Sequence, residues 1–270
     1  MPTLKQIQNK IAALNSDIDR IIDSGLMKDI EKYQKEYERA IRDAKFDLND
    51  GRFGKTSRNY LIATSIDKKM SNDFAALSQK HFKKYNAVGQ MSLDFNEYIG
   101  YSKSVDFKDI SAIKQIKKLD FSSFYQESKE LDTLIKRQLV NSIAAGSNFS
   151  TSVKNLSEQL LGTGQTLGKL ERYSTTYMRT SLFSFNNTID KTIYDRMGGK
   201  ELTAEYLYIG PILDKRIRPF CLNHVGKTYT VAQINNFPAQ NRSGLNPFTV
   251  APGGWNCRHK MILKSPTITL

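Results

Sequence analysis

An unbroken stripe of apolar residues at the start of the chain constrains the fold more than any other sequence feature. Its members recur at steps of three and four residues, which is the a/d pattern of a heptad helix. They are Leu4, Ile7, Ile11, Leu14, Ile18 and Ile21. Such a stripe has to be covered by another surface. The cover is either a second helix of the same chain or another protein, including a second copy of this chain, and the sequence leaves both open.

Helical spacing continues over much of the chain. A second helix would bury Ile30, Tyr33, Tyr37, Ile41 and Leu48, and "NDGRFGK" would end it, so residues 1–50 are predicted to be an N-terminal helical or coiled-coil segment. Residues 51–120 are predicted to hold a helix followed by an extended arm at "GQMSLDFNEYIGYSKSVDF". The isolated His81 is expected at the surface or partly packed.

The second half of the chain divides at Gly199. Residues 121–198 are predicted to form three helices, the last running from about Leu167 to Met197. After Gly199, the short β-like runs "AEYLYIG", "GKTYTV" and "KMILK" alternate with loops. The predicted fold class is α+β: mainly helical N-terminal and middle regions with long helices, then a small, loop-rich α+β module over residues 199–270. Residues 121–270 are expected to form one domain.

The chain is strongly basic, with a formal net charge of +13. Such a charge favours an acidic partner, and because no sequence-reading module is recognisable, the expected contact is with nucleic-acid backbone. A solvated lysine surface without a partner is the alternative. The longest apolar runs are only a few residues, so no membrane contact is expected, and the N-terminus lacks the apolar region of a secretory signal. Synthesis in a cytoplasm follows as an expectation.

Both cysteines lie beside a histidine. Cys221 and His224 have the spacing C-x-x-H, and Cys257 and His259 have the spacing C-x-H. Two thiolates and two imidazoles make a tetrahedral zinc set, and a metal would supply folding energy to a module with too few strands for a large core. The C-x-H spacing is shorter than usual in such sites. A Cys221–Cys257 disulfide and two buried free cysteines therefore remain open beside zinc.

A catalytic use of these residues has less support. A cysteine and a histidine can act as nucleophile and base. However, the sequence has no nucleophile elbow, phosphate loop, HExxH run or paired-carboxylate motif, so we predict that the chain is not an enzyme. We assign structural roles around the cluster to Asp214, Arg216, Trp255 and Arg258. Trp255 would be a packing anchor, next to a glycine pair that lets the backbone turn closely.

Three stretches together resemble the Mu F-like phage minor head proteins, also called phage head morphogenesis proteins. They are the helix "LERYSTTYMRTSLFSFNNTIDKTIYDRMGG", the segment "YIGPILDKRIRPFCLNHVGKTYT" and the run "PGGWNCRHKM". The resemblance covers about 100 residues, from Leu167 to Lys264. The positions that match the family pattern are Arg179, Thr180, Asp214, Arg216, Cys221, Gly226, Cys257, Arg258 and His259.

The resemblance implies a virion component inside the capsid, near the portal, that acts in head assembly and in the packaging or ejection of DNA. It implies the portal, capsid or scaffold proteins and packaged double-stranded DNA as partners, with the N-terminal stripe docking on the portal or on a sister copy. Relatives carry cysteine where this chain has His224 and His259, an exchange that suits a metal site. The alternatives are a stand-alone, non-specific nucleic-acid-binding protein and a hydrolase that uses the Cys/His cluster.

Overall fold

The fold is mainly helical with small antiparallel sheets, which confirms the predicted α+β class. The computed structural model describes residues 2–101, 118, 133, 135–163, 166–167, 169–212, 217–237, 252–254 and 257–264. The helices are α1 (Leu4–Ile21), α2 (Met27–Asp43), α3 (Ser57–Phe82), α4 (Tyr85–Tyr98), α5 (Phe149–Leu161), α6 (Lys169–Arg196), α7 (Pro219–His224) and α8 (Val231–Ile234). Residues 135–145 are also helical. None of the described helices has the length and hydropathy that a membrane span needs.

The strands are short and pair antiparallel. They are β1 (Leu48–Asn49), β2 (Arg52–Phe53), β3 (Gly162–Thr163), β4 (Thr166–Leu167), β5 (Glu205–Ile209), β6 (Thr228–Thr230) and β7 (Lys260–Leu263). β1 pairs with β2 and β3 pairs with β4, whereas the sheet of the C-terminal module has the order β6-β5-β7. In this sheet Tyr206 lies opposite Leu263, and Ile209 lies opposite Lys260.

The described residues fall into two compact units, and both units are discontinuous in sequence. The first lies within Met1–Ile22, Lys84–Leu119 and Thr176–Leu270, and the second within Asp23–Lys83 and Asp120–Thr175. These units cut across the predicted segments 1–50, 51–120 and 121–270. The reason is that one turn of π-helix, Ile22–Leu26, joins α1 to α2 without a loop, so the first unit ends inside a helical stretch.

In the first unit, the N-terminal stripe is covered by its own chain. Ile7, Ile11, Leu14 and Ile18 are buried, and α1 packs against α4. Thr3 caps the helix, because its hydroxyl accepts from the Gln6 backbone N–H while the Gln6 side chain accepts from the Thr3 backbone N–H. Of the two alternatives for this stripe, packing within the chain is the one found, and these four side chains are not exposed for a partner.

The segment predicted as an extended arm begins with a helix. α4 runs from Tyr85 to Tyr98 and buries Tyr85, Val88 and Phe95, so the arm prediction is wrong for residues 89–98. Helical spacing of these aromatic and branched residues was the overlooked signal, because glycine and serine within the segment pointed to a loop. Residues 102–107 of the predicted arm lie outside the described residues.

In the second unit, α2 packs against α3 and α5. Its buried face contains Ile30, Tyr33, Tyr37 and Ile41, as predicted. The prediction fails at Leu48, which is 46% exposed and belongs to β1. The helix ends at Asp43, and the following hairpin turns at Asp50 and Gly51, both with positive φ. A turn of this kind matches the twist of paired strands, so it favours a hairpin over a longer helix.

One further detail of the second unit differs from expectation. His81 is buried, not at the surface, and its Nε2 lies 2.9 Å from Asp29 Oδ2. At the start of α5, Asn148 is the N-cap, and its side chain accepts from the Thr151 backbone N–H. α6 starts and ends close to its predicted bounds, and its part in the first unit buries Tyr177, Phe185, Ile189 and Ile193.

Candidate metal centre

Three of the four predicted ligands converge in the C-terminal module. Cys221 comes from α7, which Pro219 starts, while Cys257 and His259 lie just before β7. One ligand atom from each of the three residues can be chosen so that all lie within 4.8 Å of one another. Cys257 Sγ and His259 Nδ1 are 3.6 Å apart. All three residues are buried, so this cluster could hold a metal ion.

A glycine turn covers the two sulfurs. A Cβ on Gly253 would lie 2.5 Å from Cys257 Sγ and 2.6 Å from Cys221 Sγ, closer than any side chain can approach. Gly254 has a φ of +75°, a conformation that favours glycine, and its carbonyl accepts from the Cys257 backbone N–H. Arg218 donates to the Gly253 carbonyl. The glycine pair was predicted to allow a close turn. The structure shows where the close approach occurs: because Gly253 has no side chain, the backbone can lie against both thiols.

Tyr208 and Gly210 lie close against the His259 ring. It packs against the Tyr208 ring with 5.3 Å between centroids, and a Cβ on Gly210 would lie 2.5 Å from His259 Cδ2. His259 Nε2 is buried without a hydrogen-bond partner among the described residues. A buried polar atom without a partner points to an unseen ligand, water or ion.

The pKa of each thiol depends on its contact with the other thiol. The hydrogen bond from Cys257 lowers the pKa of Cys221 to about 4, and the hydrogen bond to Cys221 raises the pKa of Cys257 well above its ordinary value. These opposite directions favour one thiolate and one thiol over two thiolates, because two adjacent negative charges in a buried place repel each other. Thiolate is the form that binds metal, so the lowered pKa of Cys221 favours its ligating form.

His224 does not join the cluster, and the predicted four-residue set is corrected to three. Its Nδ1 lies 2.6 Å from the Tyr229 hydroxyl, and its ring stacks 4.3 Å from the Phe220 ring. Phe237 meets the same imidazole edge-on. Burial lowers the pKa of His224, which favours the neutral ring. Packing against aromatic side chains therefore explains the position of His224. Its spacing from Cys221 in the sequence could not distinguish this packing from metal binding.

Two arginines of the motif pattern meet at a residue that sequence reasoning missed. Arg179 Nε lies 3.1 Å from Asp19 Oδ1, and Arg258 Nη2 lies 2.9 Å from Asp19 Oδ2. Asp19 lies on α1, and in the sequence it resembles its neighbour Asp17, so no local pattern marks it. Thr180 donates to the Thr176 carbonyl within α6. The remaining predicted structural residues, Asp214, Arg216 and Trp255, lie outside the described residues.

The comparisons with known proteins give no family assignment: no protein-family model, curated protein or solved structure matches this chain. The resemblance to the Mu F-like proteins thus rests on the motif residues. The geometry adds that Arg179, Cys221 and the adjacent pair Cys257 and Arg258 occupy the same compact unit, although they come from three separate stretches of the sequence.

Proposed function

We propose that this chain is a minor head protein of a phage particle, located in the capsid near the portal, and that zinc holds its C-terminal module together. The convergence of Cys221, Cys257 and His259 carries the proposal. These residues belong to two of the three stretches that carry the resemblance, "YIGPILDKRIRPFCLNHVGKTYT" and "PGGWNCRHKM".

The donor set suits zinc. Two sulfurs and an imidazole nitrogen are the ligands that zinc takes in structural sites, at about 2.3 Å for sulfur and 2.0–2.1 Å for nitrogen. In a tetrahedron these bond lengths place a sulfur and a nitrogen about 3.6 Å apart. The distance between Cys257 Sγ and His259 Nδ1 is 3.6 Å. A hydrogen bond between a thiol and an imidazole could have the same length, so metal content has to decide.

Burial favours a structural metal over a catalytic one. A catalytic zinc keeps a coordination position open to substrate. Here Gly253 lies against both sulfurs, and Cys221, Cys257 and His259 are each less than 10% exposed. Among the described residues, no fourth cysteine, histidine or carboxylate joins the three. A water molecule or a residue beyond them would complete a tetrahedron.

Charge supports contact with packaged DNA. The net charge is +13, and many helix-surface lysines already face a glutamate or aspartate one turn away, such as Lys35 beside Glu31. The excess of basic over acidic residues in the sequence suits contact with phosphates without a sequence preference. Because Ile7, Ile11, Leu14 and Ile18 are buried, a portal contact would use a surface other than the N-terminal stripe.

Metal analysis tests the zinc site. Protein purified without chelators should contain about one zinc per chain, and a chelator should lower its melting temperature. Cys221→Ser should lose the metal, whereas His224→Ala, a matched change at the predicted ligand that lies outside the cluster, should retain it. Less than about 0.2 zinc per chain, with melting unchanged by chelator, would reject the site.

Assembly tests the head-protein role. The chain should be incorporated when it is expressed with the portal and capsid proteins of the same phage. DNA binding should fall steeply with salt. Binding to DNA without incorporation into particles would favour the stand-alone nucleic-acid-binding alternative.

A further inference from the structure

Three consecutive residues around the metal cluster are held by side chains of two helices. Arg258, His259 and Lys260 form this strip, with the proposed ligand His259 at its centre. Asn15 and Asp19, one turn apart on α1, both contact Arg258: the Asn15 amide donates to its carbonyl at 2.9 Å, and Asp19 pairs with its guanidinium. On α6, the Asn187 amide donates to the His259 carbonyl at 3.4 Å, and Asp190 pairs with Lys260.

The Asp190–Lys260 contact is unusual because both side chains are only 2% exposed. Asp190 Oδ1 accepts from Ser92 Oγ at 2.5 Å and from Asn96 Nδ2 at 2.6 Å, while Oδ2 accepts from the Lys260 ammonium. The ammonium also lies 4.9 Å from the Phe95 ring centre. Three hydrogen-bond donors hold the Asp190 carboxylate in place. Because Lys260 is the first residue of β7, its ion pair with Asp190 also holds the start of that strand.

We infer that Asp190 and Asn15 are positioning residues for the metal site, acting through Lys260 and Arg258 on the adjacent His259. The inference rests on the proposed zinc site. Metal ligands have to be held close to their binding geometry, and residues that fix them commonly change metal affinity by about 10- to 100-fold. The strip has anchors on both sides of His259, so its backbone is fixed before metal arrives.

The test uses the full chain and measures zinc affinity by competition with a chromophoric chelator. The double variant Asp190→Leu with Lys260→Met removes both buried charges and keeps apolar volume, so the unit should still fold. We expect its zinc affinity to fall about 10-fold or more. The matched control is Glu205→Gln with Lys264→Met, which removes an exposed ion pair at the other end of β7 and should leave zinc affinity unchanged.

A milder variant guards against loss of the fold. Asn15→Leu keeps the branching of the side chain at Cγ, removes the bond to the Arg258 carbonyl, and also removes a buried Oδ1 that has no partner among the described residues. We expect a several-fold loss of zinc affinity with metal-free stability maintained. A second readout is the visible spectrum of the Co²⁺-substituted protein, whose bands should shift where the ligand geometry relaxes.

The outcomes separate the inference from the zinc site itself. Wild-type protein that binds no zinc would reject the proposed site. Wild-type protein that binds zinc, together with folded Asp190→Leu/Lys260→Met and Asn15→Leu variants of unchanged zinc affinity and unchanged Co²⁺ spectra, would overturn the positioning role and leave the site in place.

Discussion

Two aspartate–lysine pairs show how differently the same residue types act in two regions of this molecule. In the second unit, Asp29 of α2 lies 2.6 Å from Lys80 Nζ of α3, with side chains 24% and 65% exposed. In the first unit, Asp190 of α6 binds Lys260 of β7, with both side chains 2% exposed. The first pair stays in contact with water, whereas the second has exchanged water for protein partners.

The difference lies in what happens when a partner is removed. A solvated ion pair contributes little, because water replaces either partner at low cost. A buried pair leaves an uncompensated charge behind, although replacing both members by apolar groups is often tolerated. We therefore expect the buried pair to determine how α6 and β7 pack, and we expect the attraction between α2 and α3 to come mainly from buried side chains such as Tyr33 and Phe74.

Removal of the buried carboxylate should have the largest effect. Asp190→Asn leaves the Lys260 ammonium without its counter-charge, and we expect a loss of about 3–5 kcal/mol in the free energy of unfolding. Urea denaturation of the chelator-treated protein measures it. Asp190→Leu combined with Lys260→Met should recover most of the loss. If Asp190→Asn alone were as stable as the wild type, the buried pair would not determine the packing of β7.

Adding a methyl group at Gly253 should have the second-largest effect on stability. Gly253→Ala would place its Cβ 2.5–2.6 Å from both sulfurs, so the turn or the thiols have to move. We expect a loss of about 1–3 kcal/mol in unfolding free energy, as for overpacking of other buried sites, and a loss of bound zinc. Gly100→Ala is a useful comparison, because no atom lies within 4 Å of its added Cβ, although its φ of +91° adds strain. That variant should keep the metal.

Periodicity predicted the parts of the fold that packing alone determines. The buried faces of α1 and α2 followed from residues such as Ile11 and Tyr37, because apolar side chains spaced by three and four residues have to share a face. The strands β5 and β7 followed from "AEYLYIG" and "KMILK". The error at Leu48 arose because a hairpin turn ended the helix before the pattern did.

The candidate site was only half predictable. Cys221, Cys257 and His259 stood out because cysteine and histidine are rare in this chain, yet nothing local distinguished His259 from His224, which instead packs among Phe220, Tyr229 and Phe237. No local pattern marks Lys260 as buried, since its burial depends on a carboxylate, Asp190, far away in sequence. Contacts of that kind are set by topology, which a single sequence does not display.

Removing one methyl group from the buried face of α2 should have a moderate effect on the free energy of unfolding. Ile30 is fully buried, and Ile30→Val removes one methyl group from a packed face, so we expect about 0.5–1.5 kcal/mol of destabilisation. Urea midpoints measure it, and Lys35→Gln on the solvated face of the same helix should leave the midpoint unchanged. An equal shift in both variants would mean that surface charge, and not the buried face, stabilises α2.

Replacing Asp29, the carboxylate of the partly exposed pair with Lys80, should have the smallest effect on stability. The hydrogen bond from Lys80 lowers the pKa of Asp29, with further help from His81. A lowered folded-state pKa means that the stabilisation is present above the unfolded value, about 3.9, and is lost as the pH falls through the folded value. Asp29→Asn should thus cost about 0.2–1 kcal/mol at pH 7, and wild type and variant should become equally stable once the pH falls below the folded-state pKa of Asp29. Paired urea titrations at pH 7 and in a series of increasingly acidic buffers measure this. A cost that persists in acid would show that Asp29 acts through packing or its neutral hydrogen bonds, and the contrast with Asp190 would then be one of degree.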